Sequence, residues 1–71
     1  MNNHPQYPYL SGEAGRIQAL LDGWHRGIVA AHVSADEFAD KFFSVEAFED
    51  DISVDLIYRM ARAHWQDCRA D

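Results

Sequence analysis

The sequence predicts an all-α protein: a small helical bundle of three main helices plus one short connector helix, preceded by an extended N-terminal arm. Three observations carry that expectation. Apolar residues recur three and four positions apart through 13–32 and again through 54–69, the spacing of one helix face. No segment alternates apolar with polar residues as a half-buried strand does. Finally, the pattern serine, small or β-branched residue, acid, any residue, large apolar residue occurs three times, as "SADEF", "SVEAF" and "SVDLI" at 34–38, 44–48 and 53–57.

Residues 1–10 read as an arm. "HPQYPYL" holds two prolines, each lacking a backbone donor and disfavouring helix in the residue before it. Tyr7, Tyr9 and Leu10 are available there to cover the bundle or to dock in a partner. Residues 11–71 form the single bundle domain.

The first helix is expected over about 13–32, with Ile17, Leu20, Leu21, Trp24, Ile28 and Ala31 on its apolar stripe and Asp22 and Arg26 opposite. Within it Ala19, Gly23, Gly27 and Ala31 stand four apart and form a ridge of small residues. An interior glycine costs a helix about 1 kcal/mol relative to alanine, so two of them call for a compensating close approach. Two partners fit that ridge: the fourth helix of the same chain, or the first helix of a second copy in a homodimer.

The serine pattern places the next three helix starts. A serine side chain at the N-cap accepts a hydrogen bond from one of the unpartnered N–H groups of the first turn. Ser34, Ser44 and Ser53 are each placed to do so, with apolar staples Val33 to Phe38, Phe43 to Phe48 and Ile52 to Ile57. The acids Asp36, Glu46 and Asp55 then face the positive ends of the helix dipoles, and Glu37 completes a capping box with Ser34. This gives a second helix over about 35–43 burying Phe38, Ala39, Phe42 and Phe43, a short third over about 45–50, and a fourth over about 54–69. The fourth carries Ile57, Met60, Ala61, His64, Trp65 and Cys68 on one face, with Arg59, Arg62, Gln66 and Arg69 on the other.

Composition narrows the function classes. At 71 residues a single core supplies only about 3–5 kcal/mol, so a partner surface would be unsurprising. Cys68 is the only cysteine, which suits a reducing, cytoplasmic setting. Uncharged stretches such as Gly27–Val33 fall far short of the roughly 20 apolar residues that span a bilayer, and the N-terminus has neither a basic region nor an apolar run. Neither anchor nor export signal is expected. The net charge is −6, and it is regional: 34–55 holds eight acids and one base, giving −7, while the remaining residues come to +1. That region repels phosphate and anionic lipid, which argues against direct nucleic-acid or membrane binding and for a basic protein partner.

Four of those eight acids, Asp36, Glu37, Glu46 and Asp55, are accounted for by helix starts. Asp40, Glu49, Asp50 and Asp51 are not, and the last three repel one another beside Phe48 and Ile52. The run "EAFEDDISVD" reads either as a solvated face or as a binding face, in which Phe48 and Ile52 supply apolar anchoring and the carboxylates supply selectivity. It lacks the alternating ligands and central glycine of a calcium loop. The candidate partner-binding residues are thus Asp36, Glu37, Asp40, Phe48, Glu49, Asp50, Asp51 and Ile52.

Catalytic and metal signals are weak. His25 and His32 lie about 10 Å apart along one helix, too far to share a metal unaided. His64 and Cys68, four apart on one face, could begin a zinc site or a nucleophile–base pair, but no second ligand pair or orienting group accompanies them, and a half-buried histidine beside a core cysteine fits better. No enzyme activity, metal or cofactor is expected.

The stretch "GIVAAHVSADEFADKFF", residues 27–43, resembles a segment of bacterial colicin-D-type immunity proteins, chiefly through "SADEF" and the aromatic residues after it. The resemblance covers about a quarter of the chain. It implies a small acidic helical bundle that covers the active site of a basic nuclease, with Asp36, Glu37 and Asp40 as contacts to the basic groove. An inhibitor or immunity-type protein, bacterial or encoded by a phage against a host nuclease or defence complex, is the expected function. A self-associating structural or regulatory subunit, paired through the first helix, is the alternative.

Overall fold

The computed structural model describes residues 12–48 and 52–70. The expected arm at 1–10 and the acids Glu49, Asp50 and Asp51 lie outside the described residues. Four helices follow one another, α1 Gly12–Asp22, α2 Arg26–Ala30, α3 Ala35–Glu46 and α4 Val54–Arg69, with no strand among the described residues. The all-α bundle of three longer helices and one short one is observed, but the short helix is α2 and not a segment after Ser44. No helix among the described residues is long and apolar enough to cross a membrane.

The single helix expected over 13–32 is in fact two. α1 closes with tight i to i+3 bonds, the Gly23 N–H donating to the Leu20 carbonyl at 3.1 Å and the Trp24 N–H to the Leu21 carbonyl at 3.0 Å. His25 then takes an extended backbone (φ −64°, ψ 134°) and caps α2, its Nδ1 accepting from the Gly27 N–H at 2.9 Å. The glycine that weakens a continuous helix here marks its end. The break also shifts the phase of the apolar stripe. Val29 is buried, and Ile28, expected to face the core, is 56% exposed. Trp24 is freed to turn inward, edge-on to Phe38 and Phe42 at centroid distances of 5.4 and 5.9 Å.

α3 starts as its sequence predicts. Ser34 Oγ accepts from the Glu37 N–H at 3.1 Å, while Glu37 Oε1 accepts from the Val33 N–H at 2.9 Å, a capping box whose return bond has moved out by one residue. Val33 itself is 80% exposed, so the expected staple to Phe38 is not made by burial.

Ser44 does not start a helix. α3 runs through it to Glu46 and stops at Ala47, which adopts the left-handed conformation (φ 53°). Beyond that turn Phe48 folds back to stack on Phe43, with centroids 6.2 Å apart and planes at 15°, and to meet Phe42 edge-on at 5.4 Å. Such an apolar contact accompanies left-handed helix ends. The Phe43 and Phe48 pair, which looks like the staple of a helix start, therefore closes a helix end. Continuing the helix through Ser44 also carries Glu46 to Trp24, whose Nε1–H donates to Glu46 Oε2 at 2.8 Å.

α4 matches its expected span. Ser53 Oγ accepts from the Leu56 N–H at 3.2 Å, and the Ser53 N–H donates to Glu13 Oε1 at 3.3 Å, so the first turn of α1 completes the cap of α4. Ile52 and Ile57 join Ile17, Leu21, Val29, Phe38, Ala39, Phe42 and Ala61 in one buried cluster. At the far end of α4 two arginines brace it to α2. Arg26 Nη2 donates to the carbonyls of Asp67 and Cys68 at 3.4 and 3.3 Å, and Arg69 Nη1 donates to those of Ala30 and His32, both at 3.2 Å. Trp65 Nε1–H also donates to the His32 carbonyl, at 3.1 Å, under the Arg69 guanidinium, which lies 4.9 Å from the indole centroid. Each helix thus has its terminal carbonyls met by a cation from the other.

A left-handed alanine is strained where glycine is not, and Ala47 is exposed. Ala47→Gly is expected to raise stability by about 0.5–1 kcal/mol in urea denaturation, despite the added freedom of the unfolded chain. A loss of stability would show that the turn does not carry this strain.

Candidate functional site

The residues expected to bind a partner occupy three different environments. Asp36, Glu37 and Asp40 lie on the exposed side of α3, yet each is already engaged within the chain. Asp36 Oδ1 pairs with Arg62 Nη1 at 3.4 Å, Glu37 closes the α3 cap, and Asp40 Oδ1 accepts from the Tyr58 hydroxyl at 2.7 Å. Phe48 is half-buried on Phe42 and Phe43. Ile52 is 5% exposed and corrects the sequence reading: it precedes the α4 cap, points into the core and is not a surface anchor. Glu49, Asp50 and Asp51 fall outside the described residues.

The small-residue ridge does not persist as one surface. Ala19 belongs to α1, Gly27 to α2, Gly23 lies in the break and Ala31 caps α2, and all four are exposed. Among the described residues a Cβ built on Gly23 would meet the Leu20 carbonyl oxygen at 3.4 Å, and one on Gly27 the His25 ring at 3.2 Å. No neighbouring helix presses on either glycine. Among the described residues the expected close approach of the fourth helix at these glycines is absent: Gly23 lies in the break after α1, and Gly27, within α2, sits beside the capping His25 ring.

The histidines do structural work. His25 caps α2, and the His32 and His64 rings flank Phe38 at centroid distances of 5.6 and 6.3 Å. His64 Nε2 is shielded from solvent and has no hydrogen-bond partner among the described residues. Cys68 is buried in the core cluster. Among the described residues no three His, Cys, Asp or Glu side chains come together as metal ligands would.

The electrostatics favour an acidic exterior. No charged or polar residue is buried among those described. Ion pairs among the described residues join Arg59 to Asp55 at 2.7 Å and Arg62 to Asp36 at 3.4 Å, both at the surface, where such pairs contribute little. Arg26 and Arg69 donate to helix carbonyls in the brace described above. The hydrogen bond to Asp40, with lesser help from burial and the carboxylate charge, holds the Tyr58 phenol above its ordinary value near 10.

Open grooves lie on the surface among the described residues, two of them lined by apolar side chains. One, of about 400 Å³ between α1 and α4, is lined by Gln18, Leu56, Met60, His64 and Asp67, among others. The second, of about 460 Å³, lies where α1, the break and α2 meet the end of α3, with Leu20, Gly23, Trp24, Ile28, Val45 and Glu46 on its walls. Ile28 and Val45, 56% and 54% exposed, are among the most exposed large apolar side chains described. Neither was marked in the sequence as a surface residue. The signal that could have found Ile28 was Gly23, read as a break in place of a ridge.

Compared with known protein families, curated proteins and solved structures, the chain matches none.

Two measurements check this geometry. Because the Tyr58 phenol is raised in the folded state, its bond to Asp40 contributes stability below the ordinary tyrosine value and loses it as pH rises through the raised one. Asp40→Ala is expected to bring the Tyr58 titration, followed by ring carbon NMR, back toward 10; an unchanged titration would mean the bond is absent in solution. A buried nitrogen without a partner costs about 1–3 kcal/mol, so His64→Leu is expected to be neutral or to stabilise by about 1 kcal/mol in urea. Marked destabilisation would reveal a partner for Nε2.

Proposed function

We propose that this chain is a small acidic protein-binding module that blocks a basic, nucleic-acid-binding protein, in the manner of an inhibitor or immunity protein of a nuclease or of a phage-defence complex. The observation that carries this reading is the division of charge. The described carboxylates stand at or near the surface; Asp36 and Asp55 pair with Arg62 and Arg59, while Glu37, Asp40 and Glu46 bond to neutral donors, so the −7 of 34–55 is offset only in part by arginines from elsewhere in the described chain. A surface of that sign attracts a cationic partner, speeds its encounter and repels nucleic acid that competes for the same partner surface. The local likeness of residues 27–43 to colicin-D-type immunity proteins points the same way.

Asp36, Glu37 and Asp40 have structural partners, so reversing them would perturb folding as well as binding. The consecutive acids Glu49, Asp50 and Asp51 are the better site for a test. Wild type used as bait in lysate of the source organism is expected to retain a basic protein that elevated salt releases. The same protein's nucleic-acid cleavage or binding should be inhibited by wild type and not by a variant with Glu49→Lys, Asp50→Lys and Asp51→Lys. Equal inhibition by the variant, or a retained partner without a basic surface, overturns the reading.

A further inference from the structure

We infer that the open groove beside Trp24 is the apolar anchoring site for an amphipathic helical segment of a basic partner, its aliphatic residues seated between Ile28 and Val45 and a lysine or arginine directed at Glu46. This rests on the function proposed above and gives it the anchor it lacks, since Ile52 lies in the core and Phe48 is half-buried against Phe42 and Phe43. Charge gives on-rate and selectivity, whereas residence needs buried apolar contact. The groove supplies it: Ile28 and Val45 keep more than half their surface in solvent, and Leu20 and Trp24 form an apolar wall behind them.

The sign of the occupant follows from the lining. Glu46 is the carboxylate of the groove; the other titratable side chain in its lining is His25, whose Nδ1 is occupied as an acceptor by the Gly27 N–H, and no lysine or arginine lines it among the described residues. One carboxylate oxygen takes the Trp24 Nε1–H at 2.8 Å, a bond that fixes the group in place while a carboxylate retains further acceptor capacity. Asp36, Glu37 and Asp40 lie along α3 outside the lining and are engaged elsewhere, so they add only to the longer-range negative field of a helix with four acids against one cation, Lys41. A second copy of this chain is the poorer occupant. Groove against groove in a twofold pair would set Glu46 and the acidic α3 against their own copies, and like charges so placed repel.

The test needs no knowledge of the natural partner. A short synthetic helix with leucines on one face and lysines on the other is titrated into the isotopically labelled full chain, beside a control with glutamates in place of the lysines. The lysine peptide is expected to shift the Trp24 indole N–H and the amides of Gly23, Ile28 and Val45, leaving the Trp65 indole in place. Ile28→Gln and Val45→Gln, surface changes that spare the core, should each weaken its binding at least tenfold, with helicity checked by circular dichroism. The glutamate peptide should not bind. Equal binding of both peptides, shifts confined to residues outside the groove, or concentration-dependent shifts at Ile28 and Val45 without peptide, which would mark a second copy, each overturn the inference. Failure here is distinct from failure of the function. If the natural partner is inhibited equally by wild type and by both glutamine variants, the groove reading falls and the inhibitor reading stands.

Discussion

Trp24 fixes the arrangement of the whole chain. A large indole needs both apolar cover and a partner for its N–H, and here the two requirements are met by one helix: Phe38 and Phe42 receive the ring, and Glu46 receives the proton. Satisfying both forces two other features. The chain must break after Asp22 so that the ring can turn inward, and α3 must remain helical to Glu46 so that the carboxylate is in reach. The groove beside Trp24 is what remains between those two constraints.

How much of this was legible depends on whether an element is decided locally. Ser34 and Ser53 cap helices as read, because a serine N-cap uses only bonds within its own turn. α4 has its expected limits, since a sixteen-residue amphipathic run with a capped start is self-sufficient. Ser44 carries the same local signature as its neighbours and is overridden by contacts its pattern cannot show, from Trp24 to Glu46 and from Phe48 back to Phe43. The break at Gly23 fails for the opposite reason: its periodicity is compatible with one long helix, and only the choice between Ile28 and Val29 as the buried residue separates the two readings. A change of one residue in phase moved the most useful surface side chain out of view.

The candidate site divides in the same way. The acidity of the middle of the chain is a property of composition and could be read directly, whereas the availability of each carboxylate is a property of packing and could not. Asp36, Glu37 and Asp40 look alike in sequence, but Asp36 meets Arg62, Glu37 caps its own helix and Asp40 holds a phenol. A chain this small has few residues to spare, so side chains offered to a partner also serve the fold. What distinguishes the groove lips is that nothing described in the core depends on them.

The brace between Arg26 and Arg69 bears on the order in which the molecule is assembled. Its contacts join residues 37 to 42 positions apart in sequence, among the longest separations in the molecule. Loops of that span close late, after local helices have formed. During translation the carbonyls of Ala30 and His32 have to wait on the ribosome, hydrated, until Arg69 has been synthesised and released from the exit tunnel. Helices as short as α2 and α3 are marginal on their own, and α2 acquires its final seat only when the last turn of α4 arrives.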